Sequence, residues 1–225
     1  FISIIEIWFS SINNALSPAL FKLIHESIIE KIKEIQALSH IILFSVILAV
    51  TSLIAFIYPL MELFVPTSFH ESAKYVPILG MAFIFRALTT ITSYTFYSKK
   101  KKSIILLNQS TNAILTILFG YLLYQYFEIM GIVYSVFIVK VCEFILMRQL
   151  SNKVQYLDIK FKKLILLTLF LTIASSISTF CSSTSYRYLL FLLPLITLFI
   201  IFPFLFKNEF KNVIHFLKNR EQLLS

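Results

Sequence analysis

Glycine is scarce in this chain, with three in 225 residues. Loops that cradle phosphate depend on several closely spaced glycines, so the nucleotide-binding motifs built on such loops are excluded. Charged residues are also few, at 14% of the chain, whereas a soluble domain carries about 25%. A protein with so little charge lacks the polar surface that would face water.

Cysteine and histidine offer no candidate site. Cys142 and Cys181 lie within or near apolar runs, and we interpret them as packed residues of a reduced or lipid-shielded protein. The four histidines are scattered without the spacing of metal ligands. No Ser, His and Asp order of a hydrolase emerges either. We therefore expect no cofactor, no metal and no enzymatic activity.

Long apolar segments dominate the chain instead. Hydrophobic residues make up 58% of it, and the mean hydropathy is +0.85. A bilayer core is crossed by about 20 apolar residues, and about seven such segments are present. They lie at residues 2–20, 41–60, 76–97, 104–126, 129–149, 164–182 and 187–206. The sequence predicts an all-α, polytopic membrane protein with about seven transmembrane helices.

Lysine and arginine concentrate in every second connection between these segments. If the segments cross the membrane in turn, one side of the membrane, here called the clustered side, receives most of the cations: Lys22, Lys31, Lys33, the four lysines at 99–102, Arg148, Lys153, Lys160, Lys162, Lys163, Lys207, Lys211, Lys218 and Arg220. The opposite side receives only Lys74 and Arg187. Because cytoplasmic loops carry the excess of Lys and Arg, the clustered side and the C-terminus are predicted to be cytoplasmic. The net charge of +9 lies beside apolar segments, where it meets anionic headgroups, so we expect no nucleic-acid binding.

Two segments are predicted to be amphipathic helices in the headgroup plane. In residues 22–38, apolar side chains recur at three- and four-residue steps, namely Ile24, Ile28, Ile32, Ile35 and Leu38. The C-terminal tail repeats the pattern with Phe206, Phe210, Val213 and Leu217. Packing on the membrane surface is the favoured interpretation, and docking of a partner protein is the alternative.

Several apolar segments carry a polar face. Its members are Ser3, Glu6, Ser10, Asn13 and Ser17 in the first segment, Arg86, Thr90, Ser93 and Tyr97 in the third, Asn108, Asn112, Thr116 and Gly120 in the fourth, and Lys140 and Glu143 in the fifth. Polar groups face hydrocarbon at a cost, so these faces are expected to meet each other or a watery cavity. The second segment lacks such a face and is expected to lie toward lipid.

Arg86 lies near the middle of its segment, where insertion of an arginine costs about 2.5–3.5 kcal/mol. Its side chain cannot reach some 15 Å along the helix axis to the interface, so it needs an anion, a carboxylate or water. An ion pair with Glu6 or Glu143 and an anion site lining a cavity are both open, and the anion site is favoured. Lys140 and Glu143, one turn apart, either neutralise one another or join that cavity.

Several short motifs occur in an order that resembles a known family. At residues 11–22 an apolar span ends in a stretch of small residues followed by Pro-x-Leu. Residues 70–79 contain an alanine and an aromatic residue, followed by Pro-Ile-Leu. A basic cluster at 99–102, a span containing asparagine, and Gly131-Ile132 opening the next helix follow. The arrangement, over about residues 10–145, is similar to the second half of the O-antigen and capsule repeat-unit flippases of the multidrug/oligosaccharidyl-lipid/polysaccharide exporter superfamily. Tyr134 departs from the pattern, since the family usually has further small residues there.

The resemblance implies two lobes around a central cavity. Residues 1–149 would form one wall, and residues 150–225 would add two peripheral helices and an amphipathic cytoplasmic tail. Because the chain begins at Phe1 inside an apolar run, we expect it to be the C-terminal part of a longer protein whose N-terminal half supplies the other wall.

The implied substrate is an undecaprenyl-diphosphate-linked oligosaccharide. It would cross from the cytoplasmic to the periplasmic leaflet of the bacterial inner membrane by alternating access, for surface polysaccharide synthesis. Arg86, Lys140, Asn108 and Asn112 would line the anion-binding cavity, and Glu6 and Glu143 are the candidates for ion coupling. Membrane lipids, a polysaccharide polymerase and a chain-length regulator would be its further partners.

Two other functions stay open. A drug exporter of the same superfamily should have a net acidic cavity for cationic drugs, whereas Arg86 and Lys140 make this one basic or balanced. A membrane-embedded polysaccharide polymerase or glycosyltransferase should carry a large outward loop, and the outward loops here are short. A purely structural subunit is disfavoured by the charge of Arg86 at mid-membrane.

Overall fold

The computed structural model describes residues 2–26 and 32–154, together with helical positions 166, 167, 171, 196, 199 and 200. The two long ranges form α1 (Ile2–Glu26), α2 (Ile32–Phe64), a short 3-10 segment (Thr67–Tyr75), α3 (Val76–Ser98) and α4 (Lys102–Val154). These ranges contain no β-strand. The described part of the chain is therefore all-α, as predicted.

Helix α4 is a hairpin of two helical arms. Glu128 has φ 51° and ψ −131°, and it separates an N-terminal arm (102–127) from a C-terminal arm (129–154). In a straight helix Asn108 and Glu143 would lie about 50 Å apart. Nδ2 of Asn108 is instead 2.9 Å from Oε1 of Glu143, so the arms run antiparallel and side by side.

Gly131 allows the hairpin to close. A Cβ atom at this position would lie 2.1 Å from the carbonyl oxygen of Leu123 and 2.9 Å from the backbone nitrogen of Tyr124. Glycine alone lets the two backbones approach this closely. Tyr134 does not interfere, because its ring packs edge to face against Phe127 at 6.2 Å.

Replacing Gly131 by alanine is expected to destabilise the protein by about 1–3 kcal/mol, because the added methyl group overlaps backbone that cannot easily move. Gly120→Ala is the matched control, since its Cβ would meet only Oγ of Ser135 at an ordinary 3.7 Å. Thermal unfolding of the two variants in detergent measures the difference. Equal melting temperatures would contradict this account of the turn.

Five of the seven predicted membrane segments coincide with described helices: α1, α2, α3 and the two arms of α4. Within the described ranges, three helical stretches are long and apolar enough to cross a membrane, at Glu34–Phe64, Thr67–Ser98 and Lys102–Val154. These stretches fit a membrane protein. The predicted segments 164–182 and 187–206 lie mostly outside the described residues, and the amphipathic tail lies entirely outside them. The count of seven therefore stays a prediction.

Helix α2 lies in the core, and the prediction that it would lie toward lipid is wrong. Its side chains with 0–4% exposure include Ile42, Leu43, Val46, Ile47, Val50, Ile54 and Ile57. Gly80 of α3 lies directly against it, since a Cβ there would be 2.8 Å from Cγ1 of Val50. An apolar helix surface can pack against other helices or face lipid equally well. The absence of a polar face therefore did not tell whether α2 lies in the core or at the lipid boundary.

The amphipathic helix predicted for residues 22–38 is also wrong in the part that the structure describes. Residues 22–26 continue α1 and residues 32–38 open α2. Three of the predicted lipid-facing side chains are buried within the protein at 1–3% exposure, namely Ile24, Ile35 and Leu38. In the described part of this segment, the apolar face therefore packs inside the protein, in the ends of α1 and α2.

Helices α1 and α3 run parallel to each other. The ring of Phe9 meets that of Phe83 at 5.6 Å, and farther along both helices Phe21 meets Tyr97 at 6.1 Å. Both helices therefore reach the same end of the bundle at Lys22 and at the turn after Ser98.

The C-terminal arm of α4 is also parallel to α3. The ring of Phe144 lies 5.9 Å from that of Phe85, and Oγ of Ser151 donates to Oγ1 of Thr95 at 3.0 Å. Lys153 therefore lies at the same end as Lys22 and the lysines at 99–102. The described cations predicted to be cytoplasmic share one end of the bundle.

Cys142 is exposed on the C-terminal arm, so the prediction that its side chain is packed is wrong. Most residues around Cys142 are apolar, and such a composition does not say which side of a helix faces a neighbouring helix. Cys181 lies outside the described residues.

Candidate functional site

Arg86 forms an ion pair between α3 and α1. Its Nη2 atom lies 2.7 Å from Oε1 of Glu6. The ring of Phe83, one turn earlier on α3, lies 5.7 Å from Cζ of the guanidinium, and Phe9 of α1 packs edge to face against that ring. One carboxylate and one aromatic face therefore orient the Arg86 side chain.

The Arg86–Glu6 pair is open on one side. The two side chains are 47% and 45% exposed. A guanidinium carries five N–H donors, and a carboxylate occupies two of them at most in the bidentate geometry. Donors therefore remain for a second anion. Because a charged pair facing hydrocarbon is costly, we expect this open side to line a polar or watery space.

A second charged cluster ties the two arms of α4 together. Nζ of Lys140 lies 2.7 Å from Oε2 of Glu143, and Nδ2 of Asn108 donates to Oε1 of the same carboxylate at 2.9 Å. The Lys140 and Glu143 side chains are only 21% and 11% exposed, and Asn108 is buried. Lys140 and Glu143 thus neutralise one another, and the amide of Asn108 uses the other carboxylate oxygen.

Asn112 belongs to neither cluster. Thr116 donates to the backbone carbonyl of Asn112 at 2.8 Å, with the Asn112 Oδ1 atom 3.4 Å away. The structure therefore divides the predicted site residues into two groups and one separate residue: Arg86 with Glu6; Asn108 with Lys140 and Glu143; and Asn112 within its own helix. Their roles in binding and ion coupling stay predictions.

Two polar contacts between helices were absent from the sequence prediction. The Tyr94 hydroxyl donates to Oδ1 of Asn13 on α1, and Ser151 donates to Thr95. Tyr94 and Thr95 lie beside the predicted polar face of α3, whose Ser93 bonds to its own helix. The hydroxyl groups of Tyr94 and Thr95 were visible in the sequence, but their hydrogen-bond partners depend on how the helices pack.

No cluster of three or more His, Cys, Asp or Glu that could hold a metal ion occurs among the residues that the structure describes. Two pairs of charged side chains lie away from the ends of the described helices, Arg86 with Glu6 and Lys140 with Glu143. Of these two cations Arg86 is the more exposed, at 47% against 21% for Lys140.

Comparisons with protein-family models, with curated proteins and with solved structures found no match to this chain. The proposals about function therefore rest on the residues of the chain itself.

Proposed function

We propose that this chain takes part in moving undecaprenyl-diphosphate-linked oligosaccharides across the bacterial inner membrane for surface polysaccharide synthesis. The observation that carries the proposal is the half-exposed guanidinium of Arg86, which lies near the middle of α3 and is held by the single carboxylate of Glu6. A guanidinium matches the oxygens of a diphosphate in number and geometry. Mid-membrane cations of this kind mark substrate pathways in transporters.

Glu6 has two roles in this proposal. Between transport events its carboxylate neutralises Arg86, and when the substrate arrives the diphosphate, with more negative charge and more acceptor oxygens, competes for the same N–H donors. Protonation of Glu6 would weaken its hold on Arg86 and favour the diphosphate. Glu6 is therefore the proposed ion-coupling residue of this site.

The cluster of Asn108, Lys140 and Glu143 has a different place in the proposal. Its groups are mostly buried and already paired with one another, so at rest they are closed to the substrate. Lys140 would meet the substrate, and Glu143 would serve in ion coupling, when the two arms separate during alternating access. Asn112, on the N-terminal arm, would face the same cavity.

The remaining features of the proposal concern location and assembly. The C-terminus lies in the cytoplasm, residues 1–149 form one cavity wall, and an N-terminal half of the same protein forms the other. The gathering of Lys22, Lys153 and the lysines at 99–102 at one end of the bundle supports this orientation. A polysaccharide polymerase and a chain-length regulator are the proposed partners in the membrane.

Two observations disfavour the other functions. Glu6 and Glu143, the acidic residues within the predicted segments, both face cations, so neither offers a free carboxylate to a cationic drug. Between α2 and α3 the chain forms only the short segment Thr67–Tyr75, and between the arms of α4 it turns at Glu128. These connections lack the large outward loop expected of a polymerase.

The proposal is tested in cells that lack the gene for the full-length protein. We expect complete lipid-linked repeat units to accumulate in the cytoplasmic leaflet and the surface polymer to disappear. Single repeat units that still reach the surface would indicate a polymerase, and an unchanged coat would favour the drug exporter.

A further inference from the structure

The turn between α3 and α4 contains an unusual backbone conformation. Lys101 donates its backbone N–H to the carbonyl of Phe96 at 2.9 Å, and Lys100 donates to that of Tyr97 at 3.1 Å. These two bonds define a Schellman motif, in which the residue after the helix adopts the left-handed conformation. That residue is Lys100, with φ 55°.

Glycine is the residue that usually occupies this position, because a Cβ atom is unfavourable in the left-handed region. A lysine here keeps a positive charge where glycine would give the more stable turn. Residues held in sparsely populated conformations concentrate at functional sites. Lys100 therefore points to a use for its side chain that outweighs the backbone preference.

The orientation of the chain in the membrane does not account for Lys100. Orientation depends on the number of lysines and arginines in a short loop and not on their backbone conformation. Three other lysines, at 99, 101 and 102, already lie in this loop.

The surroundings of the turn are cationic. The four lysines at 99–102 are exposed, as are Lys22 and Lys153, which reach the same end of the bundle. None of the ion pairs found within the described ranges includes any of them. Like charges at this density repel one another, and an external anion would relieve that repulsion.

The depth of the turn indicates which anion this is. Tyr97, one residue before the end of α3, has an exposed ring, and tyrosines with an apolar ring and a polar hydroxyl prefer the level of the lipid headgroups. The lysines follow directly after it, at the level of headgroup phosphates. Clusters of lysine immediately cytoplasmic of a membrane helix attract anionic lipids.

We propose that the turn at 99–102, with Lys100 at its centre, is a binding site for the headgroup phosphate of an anionic glycerophospholipid such as phosphatidylglycerol. The site is separate from Arg86 and does not depend on the transport activity. Bound lipid would fix the junction between α3 and the hairpin of α4 at the membrane surface.

The test uses the full chain in nanodiscs of phosphatidylcholine alone or of phosphatidylcholine and phosphatidylglycerol in equal parts. The melting temperature of the wild type is expected to rise by several degrees in the mixture, because a ligand that binds only the folded state stabilises it. Lys100→Gly should lose at least half of that rise, while its melting temperature in phosphatidylcholine alone equals or exceeds that of the wild type. Lys74→Gln, at the opposite end of the bundle, is the control that should keep the full rise.

A second variant and a second ligand keep the test decisive. Lys101→Gln removes one charge without changing the left-handed position, and it should also reduce the rise. A full rise in Lys100→Gly, or no rise in the wild type, would overturn the proposal. Inorganic phosphate that raises the melting temperature in phosphatidylcholine as much as phosphatidylglycerol does would overturn the assignment to a lipid.

Discussion

Replacing Arg86 by alanine is expected to abolish transport while leaving the amount of protein in the membrane near normal. The variant loses the N–H donors proposed to hold the diphosphate, and we expect transport to fall by at least about 100-fold, which corresponds to about 2.7 kcal/mol. Because the Arg86–Glu6 pair is nearly half exposed, its loss should affect folding only modestly. The measurement is surface polysaccharide in cells that lack the parent gene and carry the full-length variant, with membrane abundance measured beside it.

Exchanging the charges of Glu6 and Arg86 tests whether Arg86 binds an anion or only forms a structural ion pair. The double variant Glu6→Arg with Arg86→Glu keeps a pair between α1 and α3 but moves the cation to α1. If Arg86 binds the diphosphate, this variant folds and stays inactive. Arg86→Lys should be intermediate, because an ammonium keeps the charge but loses the planar fork of donors. Full activity of Arg86→Ala, or of the exchanged pair, would reduce Arg86 to a structural role.

The helices were predictable from the sequence because long apolar runs bounded by charged loops leave few other possibilities. Predicted segment 76–97 became α3 at Val76–Ser98, and the break predicted between 126 and 129 lies at Glu128. The place of each helix in the bundle was not predictable in the same way. Helix α2 is in the core although it has no polar face, because packing between membrane helices does not require one.

In the charged clusters, the contact within one helix was predictable from the sequence, whereas the contacts between helices were not. The contact of Lys140 with Glu143 follows from their spacing on one helix, which places them one turn apart. The choice of Glu6 as the partner of Arg86 depends on α1 packing against α3, and the sequence left Glu6 and Glu143 as alternatives. The bond from Asn108 depends on the register of the hairpin, which no spacing within a single helix contains.

Removing the carboxylate of Glu143 is expected to destabilise the protein by about 3–5 kcal/mol, because the variant Glu143→Ala leaves the charge of Lys140 largely buried without a partner. The amide of Asn108 loses its acceptor at the same time, and an unsatisfied buried donor costs about 1–3 kcal/mol on its own. Glu143→Gln should be less severe, since its amide oxygen can still accept from Asn108. Thermal or denaturant-induced unfolding of the purified full-length protein measures the stability of both variants against the wild type.

The control for this prediction removes the whole cluster together. The triple variant Asn108→Leu, Lys140→Met and Glu143→Leu takes away the cation, the carboxylate and the amide, so no unpaired group remains, and a well-packed apolar replacement of a buried pair is often neutral or stabilising. We expect its stability to be within about 1 kcal/mol of the wild type, with transport lost if Lys140 meets the substrate. A triple variant as unstable as Glu143→Ala would mean that the cluster itself holds the arms together. Retained stability with full transport would mean that Lys140 has no part in the cavity, and Arg86 would then be the cation that recognises the diphosphate.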